Sequence, residues 1–283
     1  MAVLIDFSQV TISALQKQMN PKYLGIVADK DLCRHLVLNS IRNVVHKFKR
    51  DYGKIIICCD SRKYWRTEIF PHYKGSRKKN RDASGVDWEL IFEVLDEVKA
   101  DMKTTFPYQV IEVERAEADD IIGTLTPRLS SHEPVILVSA DGDFKQLHQY
   151  KNVKQYNPTL GAFVTSPNPH QELKEKIIRG DSGDGITNII SPSDSLIMGI
   201  RQKSITKPIL EKYMALNFDD STIENYSVIQ RNKTLIDLSM IPVDIKSAII
   251  REYETEQEGN KVLVMKYLMK HKLNMLLECV DEF

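Results

Sequence analysis

The chain has 283 residues, 42% of them hydrophobic and 28% charged, which argues against an intrinsically disordered protein and allows two domains or one large one. Its 39 basic and 39 acidic residues give a formal net charge of zero, which by itself indicates no partner. No apolar run approaches the length of a membrane span, and the start MAVLIDFSQV is a poor signal peptide, so we expect a cytoplasmic protein without membrane contact. The four cysteines form no C-x-x-C pair, and we expect them to be reduced thiols.

Short apolar runs alternate with segments of helical periodicity along the first part of the chain. The predicted strands are 3–6, 54–60, 108–113 and 134–140, and the predicted helices are 32–48, 87–104, 117–129 and 170–180. Strands that alternate with helices indicate an α/β fold, a mostly parallel central sheet flanked by helices. After about residue 165 the strand signal fades, and helices are predicted at 242–254 and 261–273. We therefore predict an α/β domain over 1–180 and a helical region over 181–283.

Acidic residues stand where three of the predicted strands end. Asp6 closes the first strand and Asp60 the second. Asp141 and Asp143 follow the fourth, and residues i and i+2 of an extended chain point to the same side. Five further acids flank the third helix and lie in the loop GDSGDG: Glu117, Asp119, Asp120, Asp181 and Asp184. Ligands collect at the carboxyl ends of strands in an open parallel sheet, so these side chains are expected at one rim.

A shared rim would make these carboxylates repel one another. Two unit charges 4 Å apart repel by about 4 kcal/mol at an effective dielectric constant of 20, so several together need bound cations or protonation. Oxygen ligands without cysteine or histidine favour Mg²⁺ or Mn²⁺, and two such ions are the usual arrangement for phosphodiester displacement. Each acid alone is also consistent with a turn, a helix cap or a solvated helix start.

A basic segment follows the strand that ends at Asp60. Residues 62–81 contain eight Lys and Arg against one Glu. Four aromatic residues are interleaved with these charges: Tyr64, Trp65, Phe70 and Tyr73. Lysine and arginine neutralise phosphates and aromatic rings stack on unpaired bases, so the segment is predicted to bind nucleic acid; an exposed basic loop is the alternative. With few aliphatic residues, part of residues 62–84 is expected to be mobile until nucleic acid binds.

The order of these motifs resembles a known family. The blocks LIDFSQ, ICCDS, WRTEIFPHYKGSR, EADDIIGTL, VSADGDFKQL and IRGDSGDG are similar, in order and spacing, to those of the structure-specific 5′-nucleases, which include flap endonucleases and the 5′-nuclease domains of bacterial DNA polymerases. The resemblance covers nearly the whole chain, is closest to the bacteriophage members, and implies the PIN-like 5′-nuclease fold.

The resemblance also implies roles for individual residues. It implies that Asp60, Asp119, Asp141 and Asp143 surround one metal ion, that Asp6, Asp181 and Asp184 hold a second, and that Glu117 and Asp120 complete the acidic ring. Lys74 and Arg77 match the arch motif, whose lysine and arginine reach the scissile phosphate. Further nucleic-acid contacts are expected from Arg66, Lys78, Lys79, Arg81, Arg201 and Lys203.

The chain departs from the family pattern in two places. The sequence Gly183-Asp184-Gly185 stands where the family often has Ser-Asp-Asn. In GIRQKS, residues 199–204, Arg201 stands where the helix-hairpin pattern G-x-G-x-K has its second glycine, which argues against a bound monovalent cation.

We therefore predict a monomeric 5′→3′ exonuclease and flap endonuclease dependent on two Mg²⁺ or Mn²⁺ ions. The expected substrates are flap, nicked or forked DNA and RNA–DNA hybrids, as in lagging-strand primer removal, with a single-strand-binding protein and a sliding clamp as candidate partners. Three alternatives stay open: a toxin-type ribonuclease of similar sheet architecture, a DNA-structure-binding protein without catalysis, and a phosphatase with an aspartyl nucleophile.

Overall fold

The computed structural model describes residues 1–18 and 29–283, and its centre is a six-stranded sheet. The strands are β1 Ala2–Asp6, β2 Lys54–Cys59, β3 Gln109–Glu112, β4 Val135–Val138, β5 Val153–Asn157 and β6 Ala162–Val164. Their order is β3-β2-β1-β4-β5-β6, and all neighbours pair in parallel except β5 and β6, which are antiparallel. The predicted α/β fold with a mostly parallel sheet is confirmed.

Helices occupy most of the remaining described chain. The α-helices are α1 Phe7–Gln18, α2 Lys30–Tyr52, α3 Trp65–Ile69, α4 Arg77–Asp82, α5 Trp88–Thr105, α6 Ala118–Ser130, α7 Pro169–Arg179, α8 Lys207–Met214, α9 Tyr226–Ile236, α10 Val243–Glu254, α11 Lys261–Lys270 and α12 Asn274–Leu277, and 3-10 helices span Gly142–Gln149, Leu238–Met240 and Val280–Glu282. The sequence did not predict β5 and β6, because polar residues such as Lys154 and Gln155 interrupt the apolar run of β5. No helix in residues 1–18 and 29–283 is long and apolar enough to cross a membrane.

The central strand β1 shows why the short apolar runs form a sheet with helices on both faces. Val3 and Ile5 point into one apolar cluster with α2 and α5, whereas Leu4 points into another with α6 and α10. Every residue of β1 is buried, as expected when helices cover both faces of a parallel sheet. Because β2 and β4 flank β1, the carboxyl ends of these three strands meet at the switch point where ligands bind in such sheets.

A third apolar cluster joins the basic segment to the second half of the chain. Phe70 and Tyr73 are buried there with Ile178, Ile186 and Ile229. This burial corrects the expectation that these aromatic rings wait for bases, because they already belong to a core. Side chains from both sides of residue 180 share this cluster, and the domain division at that residue stays a prediction.

Candidate active site

The predicted acids at the ends of β1 and β2 accept hydrogen bonds from backbone amides and from a serine hydroxyl. The Asp6 carboxylate accepts from the Gln9 amide at 3.1 Å and from the Ser139 hydroxyl at 2.9 Å. Asp60 accepts from the Ala118 amide at 2.8 Å, which ties the end of β2 to the first residue of α6. These bonds orient both side chains at the carboxyl edge of the sheet.

Four of the acids repel one another at this edge. Burial and the neighbouring Asp60 raise the pKa of Asp6 to about 7. Burial, Asp141 and Asp6 raise the pKa of Asp119 well above its ordinary value, and burial also raises the pKa of Asp141. Desolvation and like charges disfavour ionisation, so this arrangement becomes favourable at neutral pH when a cation is added.

The raised pKa values predict how the metal-free protein responds to pH. Between pH 3.8 and about 7, folded Asp6 keeps a proton that the unfolded chain has lost, so stability falls as pH rises through this window. One such group contributes at most about 1.4 kcal/mol per pH unit. Melting temperatures in chelator between pH 4.5 and 7.5 should therefore decrease with pH, and Asp6→Asn should flatten the decrease. A melting temperature that rises across this range would contradict the repulsion.

A second group of acids is paired with basic side chains. Asp143 and Asp181 both contact the ammonium group of Lys176 in α7, at 2.8 Å for Asp181. Burial alone would raise the pKa of Asp184, but Lys74 and Arg77 lower it below its ordinary value. Lys176 was not among the predicted site residues, because a lysine within an amphipathic helix carries no motif of its own.

The loop GDSGDG holds the start of the basic segment against the acids. The backbone amide of Lys74 donates to the Asp184 carbonyl at 2.7 Å, and the Lys74 ammonium group contacts Glu117. Gly185 has φ of +76°, and a Cβ atom there would lie 2.7 Å from the His72 carbonyl oxygen. The departure from the family's asparagine therefore has a local reason, since only glycine allows this conformation and this close approach together.

Tyr73 links two of the predicted acids, Glu117 and Asp184. Its buried hydroxyl lies 3.0 Å from a carboxylate oxygen of Glu117 and 3.0 Å from one of Asp184. The sequence assigned Tyr73 to base stacking, and only its place next to Lys74 in the FPHYKGSR block hinted at a position in the site.

Arg66 and Asp120 are corrections to the predicted site. The buried guanidinium of Arg66 contacts Glu117 at 2.7 Å, Asp120 at 2.8 Å and the Leu235 carbonyl at 2.9 Å, so it is not available to a phosphate. Asp120 is fully buried and also accepts from the Trp65 ring nitrogen at 3.0 Å and from the Glu117 amide. Asp120 thus caps α6 and pairs with Arg66, so its carboxylate is engaged within the core.

The other predicted basic residues are accessible. Lys78 and Lys79 are exposed on α4, and Arg201 and Lys203 are exposed before α8. Arg81 lies over the Phe92 ring, 5.4 Å from its centre. A cavity of about 790 Å³ lies between α1, α4 and α5 and is lined by residues that include Asp60, Arg81, Trp88 and Phe92. Its volume lies within the range of ligand pockets, and it opens beside the acids.

The donor set fits hard divalent cations, although the carboxylates are not gathered into a preformed site. Within the described ranges, no three His, Cys, Asp or Glu side chains converge as the ligands of one ion. Lys176 stands between Asp143 and Asp181, and Arg77 contacts Asp184. All candidate ligands are oxygens, which Mg²⁺ and Mn²⁺ prefer.

Two family profiles match most of the chain. The profile described as "5'-3' exonuclease, N-terminal resolvase-like domain" matches residues 33–177, and the one described as "T4 RNase H, C terminal" matches residues 168–283. The ribonuclease H of Enterobacteria phage T4 is 33% identical and aligns with 99% of this chain and 95% of its own length. The flap endonuclease Xni of Psychromonas ingrahamii is 28% identical over 54% of this chain and 55% of its own length.

Solved structures share the fold. The T5 D15 protein co-crystallised with metal ions has a TM-score of 0.61 at 19% identity and covers 89% of this chain and 97% of its own. A complex of the bacteriophage T5 D15 flap endonuclease with DNA and metal ions has a TM-score of 0.61 at 20% identity, with 90% of this chain and 99% of that chain covered. At these identities the likeness shows the fold alone.

Proposed function

The chain belongs to the family of 5′–3′ exonucleases and flap endonucleases, and on this basis we propose that it hydrolyses phosphodiester bonds near the 5′ ends of DNA or RNA strands paired with DNA, using two divalent metal ions. The observation that carries the two-metal proposal is the group of partly buried, mutually repelling carboxylates at the carboxyl edge of the sheet. A DNA-binding protein without catalysis would gain nothing from such a group, because uncompensated carboxylates repel phosphates.

The proposed metal ligands are the acids that remain after the correction at Asp120. They are Asp60, Asp119, Asp141 and Asp143 for one ion, and Asp6, Asp181 and Asp184 for the other, with Glu117 nearby. Bound Mg²⁺ or Mn²⁺ ions supply a water of lowered pKa as nucleophile and neutralise charge on the reacting phosphate. No serine, cysteine or histidine nucleophile is required.

Lys74 and Arg77 orient the scissile phosphate in this proposal. Both side chains contact carboxylates, Glu117 for Lys74 and Asp184 for Arg77, so both are already held beside the acids. Their positive charges offset the charge that develops on the phosphate, which is most effective where water is excluded. Burial lowers the pKa of Lys74 but Asp184 and Glu117 raise it more, so the ammonium group stays charged at the pH of the reaction.

The two sides of the site suit the two parts of a flap substrate. The cavity beside Asp60 combines the rings of Trp88 and Phe92 with Arg81, which suits unpaired bases and their phosphates. Arg201 and Lys203 lie in the second half of the chain and suit the duplex backbone. We propose that the protein acts as a monomer and removes RNA primers during lagging-strand synthesis. Its candidate partners there are a single-strand-binding protein and a sliding clamp. The name ribonuclease H of the phage T4 relative supports the RNA substrate.

Digestion of three labelled substrates tests this function. A 5′-labelled flap, a nicked duplex and an RNA–DNA hybrid, each with Mg²⁺, should be cut near the 5′ end of the paired strand, and chelator should stop the reaction. Cleavage of single-stranded RNA in preference to all three would favour a toxin-type ribonuclease. Tight flap binding without cleavage in Mg²⁺ or Mn²⁺ would favour a binding protein instead.

A further inference from the structure

Arg231, in helix α9, carries a charge without a carboxylate partner among residues 1–18 and 29–283. Its guanidinium donates to the hydroxyls of Ser193 and Thr187, the latter at 2.9 Å, and to the side-chain oxygen of Asn232 at 2.8 Å. Its plane lies over the Phe70 ring, 4.6 Å from the ring centre. All these partners are neutral.

Two other arginines that are at least partly removed from water are compensated by carboxylates. Arg34 pairs with Glu97 and Asp101, and Arg42 pairs with Glu282. Arg231 is half-buried, and burial lowers its pKa below the ordinary arginine value. A cation partly removed from water without an opposite charge is unfavourable, and the ring of Phe70 offsets only part of that cost. An anion at this position would supply the missing charge.

The surroundings of Arg231 indicate which anion. Its hydroxyl partners lie in loop 187–193, and the amide of Lys203 donates to the hydroxyl of Ser191 in the same loop at 2.9 Å. Lys203 and the nearby Arg201 are exposed. The Arg231 side chain and the backbone of Lys203 therefore contact the same loop, and a basic surface of this kind suits a nucleic-acid backbone.

We propose that Arg231 and the Ser193 hydroxyl form a phosphate-binding subsite for the duplex backbone, beside Arg201 and Lys203. Ser193 is exposed, and because its oxygen accepts from Arg231, its own hydrogen remains to donate to a phosphate oxygen. The inference rests on the proposed function, since the ligand is the duplex of the nuclease substrate.

The subsite also contacts the segment that carries the candidate catalytic lysine. Phe70, beneath the guanidinium, directly follows α3 and lies four residues before Lys74. A phosphate bound by Arg231 is therefore held against the same segment that holds Lys74 at the acids. This contact keeps the bound duplex in a defined place relative to the scissile phosphate.

Salt-dependent binding of a fluorescent flap DNA, measured in Ca²⁺ to prevent cleavage, tests the subsite. Arg231→Gln should weaken binding by about tenfold at ~0.1 M salt and reduce the slope of log affinity against log salt by about 0.9, the value for one lost phosphate contact. Arg231→Lys should keep the slope. The matched control is Arg50→Gln, which removes an exposed charge at the end of α2 and should leave the slope unchanged.

The melting temperature of Arg231→Gln shows whether the variant is folded. If the folded variant has unchanged affinity and an unchanged salt slope, the subsite proposal is wrong and Arg231 has only a structural role. If Arg231→Gln does not fold, Ser193→Ala decides, since an exposed hydroxyl is dispensable for folding. We expect this variant to bind about twofold to fivefold more weakly, as for one hydrogen bond, and unchanged binding would overturn the proposal. Failure of the proposed nuclease function would be distinguishable from failure of the subsite, because the wild-type protein would then bind the flap but not cut it in Mg²⁺.

Discussion

Replacing Asp119 with asparagine is expected to lower the single-turnover rate of flap cleavage by at least about a thousandfold. Asp119 stands in the first turn of α6, and burial, Asp141 and Asp6 raise its pKa well above the ordinary value. Asparagine keeps the size of the side chain but not the charge that would hold a divalent cation. The rate should be measured with enzyme in excess over a 5′-labelled flap in Mg²⁺.

The same substitution should change stability in the opposite direction. Without metal, Asp119→Asn removes one of the repelling charges, so its melting temperature in chelator should exceed that of the wild type. With Mg²⁺, the wild type should gain stability by binding, and the variant should gain less. Asp51→Asn, an exposed substitution at the end of α2, is the control that should change neither quantity. Cleavage by Asp119→Asn at near wild-type rate would show that the metal assignment is wrong.

The second large effect is expected at Lys74. Lys74→Ala should lower the single-turnover rate by about a hundredfold to a thousandfold, the usual cost of removing one group that stabilises transition-state charge. Affinity for the flap in Ca²⁺ should change by less than about threefold, since one contact among many is lost. The variant should fold, because Glu117 keeps its bonds to Arg66 and Tyr73 when the lysine is removed.

Two further variants separate positioning from general electrostatics. Lys79→Ala removes an exposed charge on α4 and should weaken binding several-fold while leaving the rate at saturating DNA nearly unchanged. Lys74→Arg keeps the positive charge, and because Lys74 has φ of 55°, the substitution leaves the backbone strain at this residue unchanged. It should therefore recover part of the rate that Lys74→Ala loses. Equal losses of rate in Lys74→Ala and Lys79→Ala would show that the basic segment acts only as a general electrostatic surface and does not position the scissile phosphate.

Local patterns were enough to predict strands β1 to β4, their parallel pairing and the acids at the ends of β1, β2 and β4, but not β5 and β6. Short apolar runs such as VLID and VILV indicate buried strands. The segments between these strands have helical periodicity, and strands that alternate with helices indicate a parallel sheet. Parallel strands bring their carboxyl ends to one edge, so the placement of Asp6, Asp60 and Asp141 at a common rim follows from where each strand stops. The order of the motifs was enough to identify the family, which the comparisons confirm.

Contacts between distant residues decided the rest. Arg66 looked like a phosphate contact within a basic run, but it is 51 residues from Glu117 and 169 from Leu235 along the chain, and those partners bury it. Sequence patterns carry periodicity over a few residues, whereas pairing between charges depends on which surfaces the folded core brings together. For the same reason, the placement of Lys176 between two acids and the isolation of Arg231 from any carboxylate in the described chain were visible only in the tertiary structure.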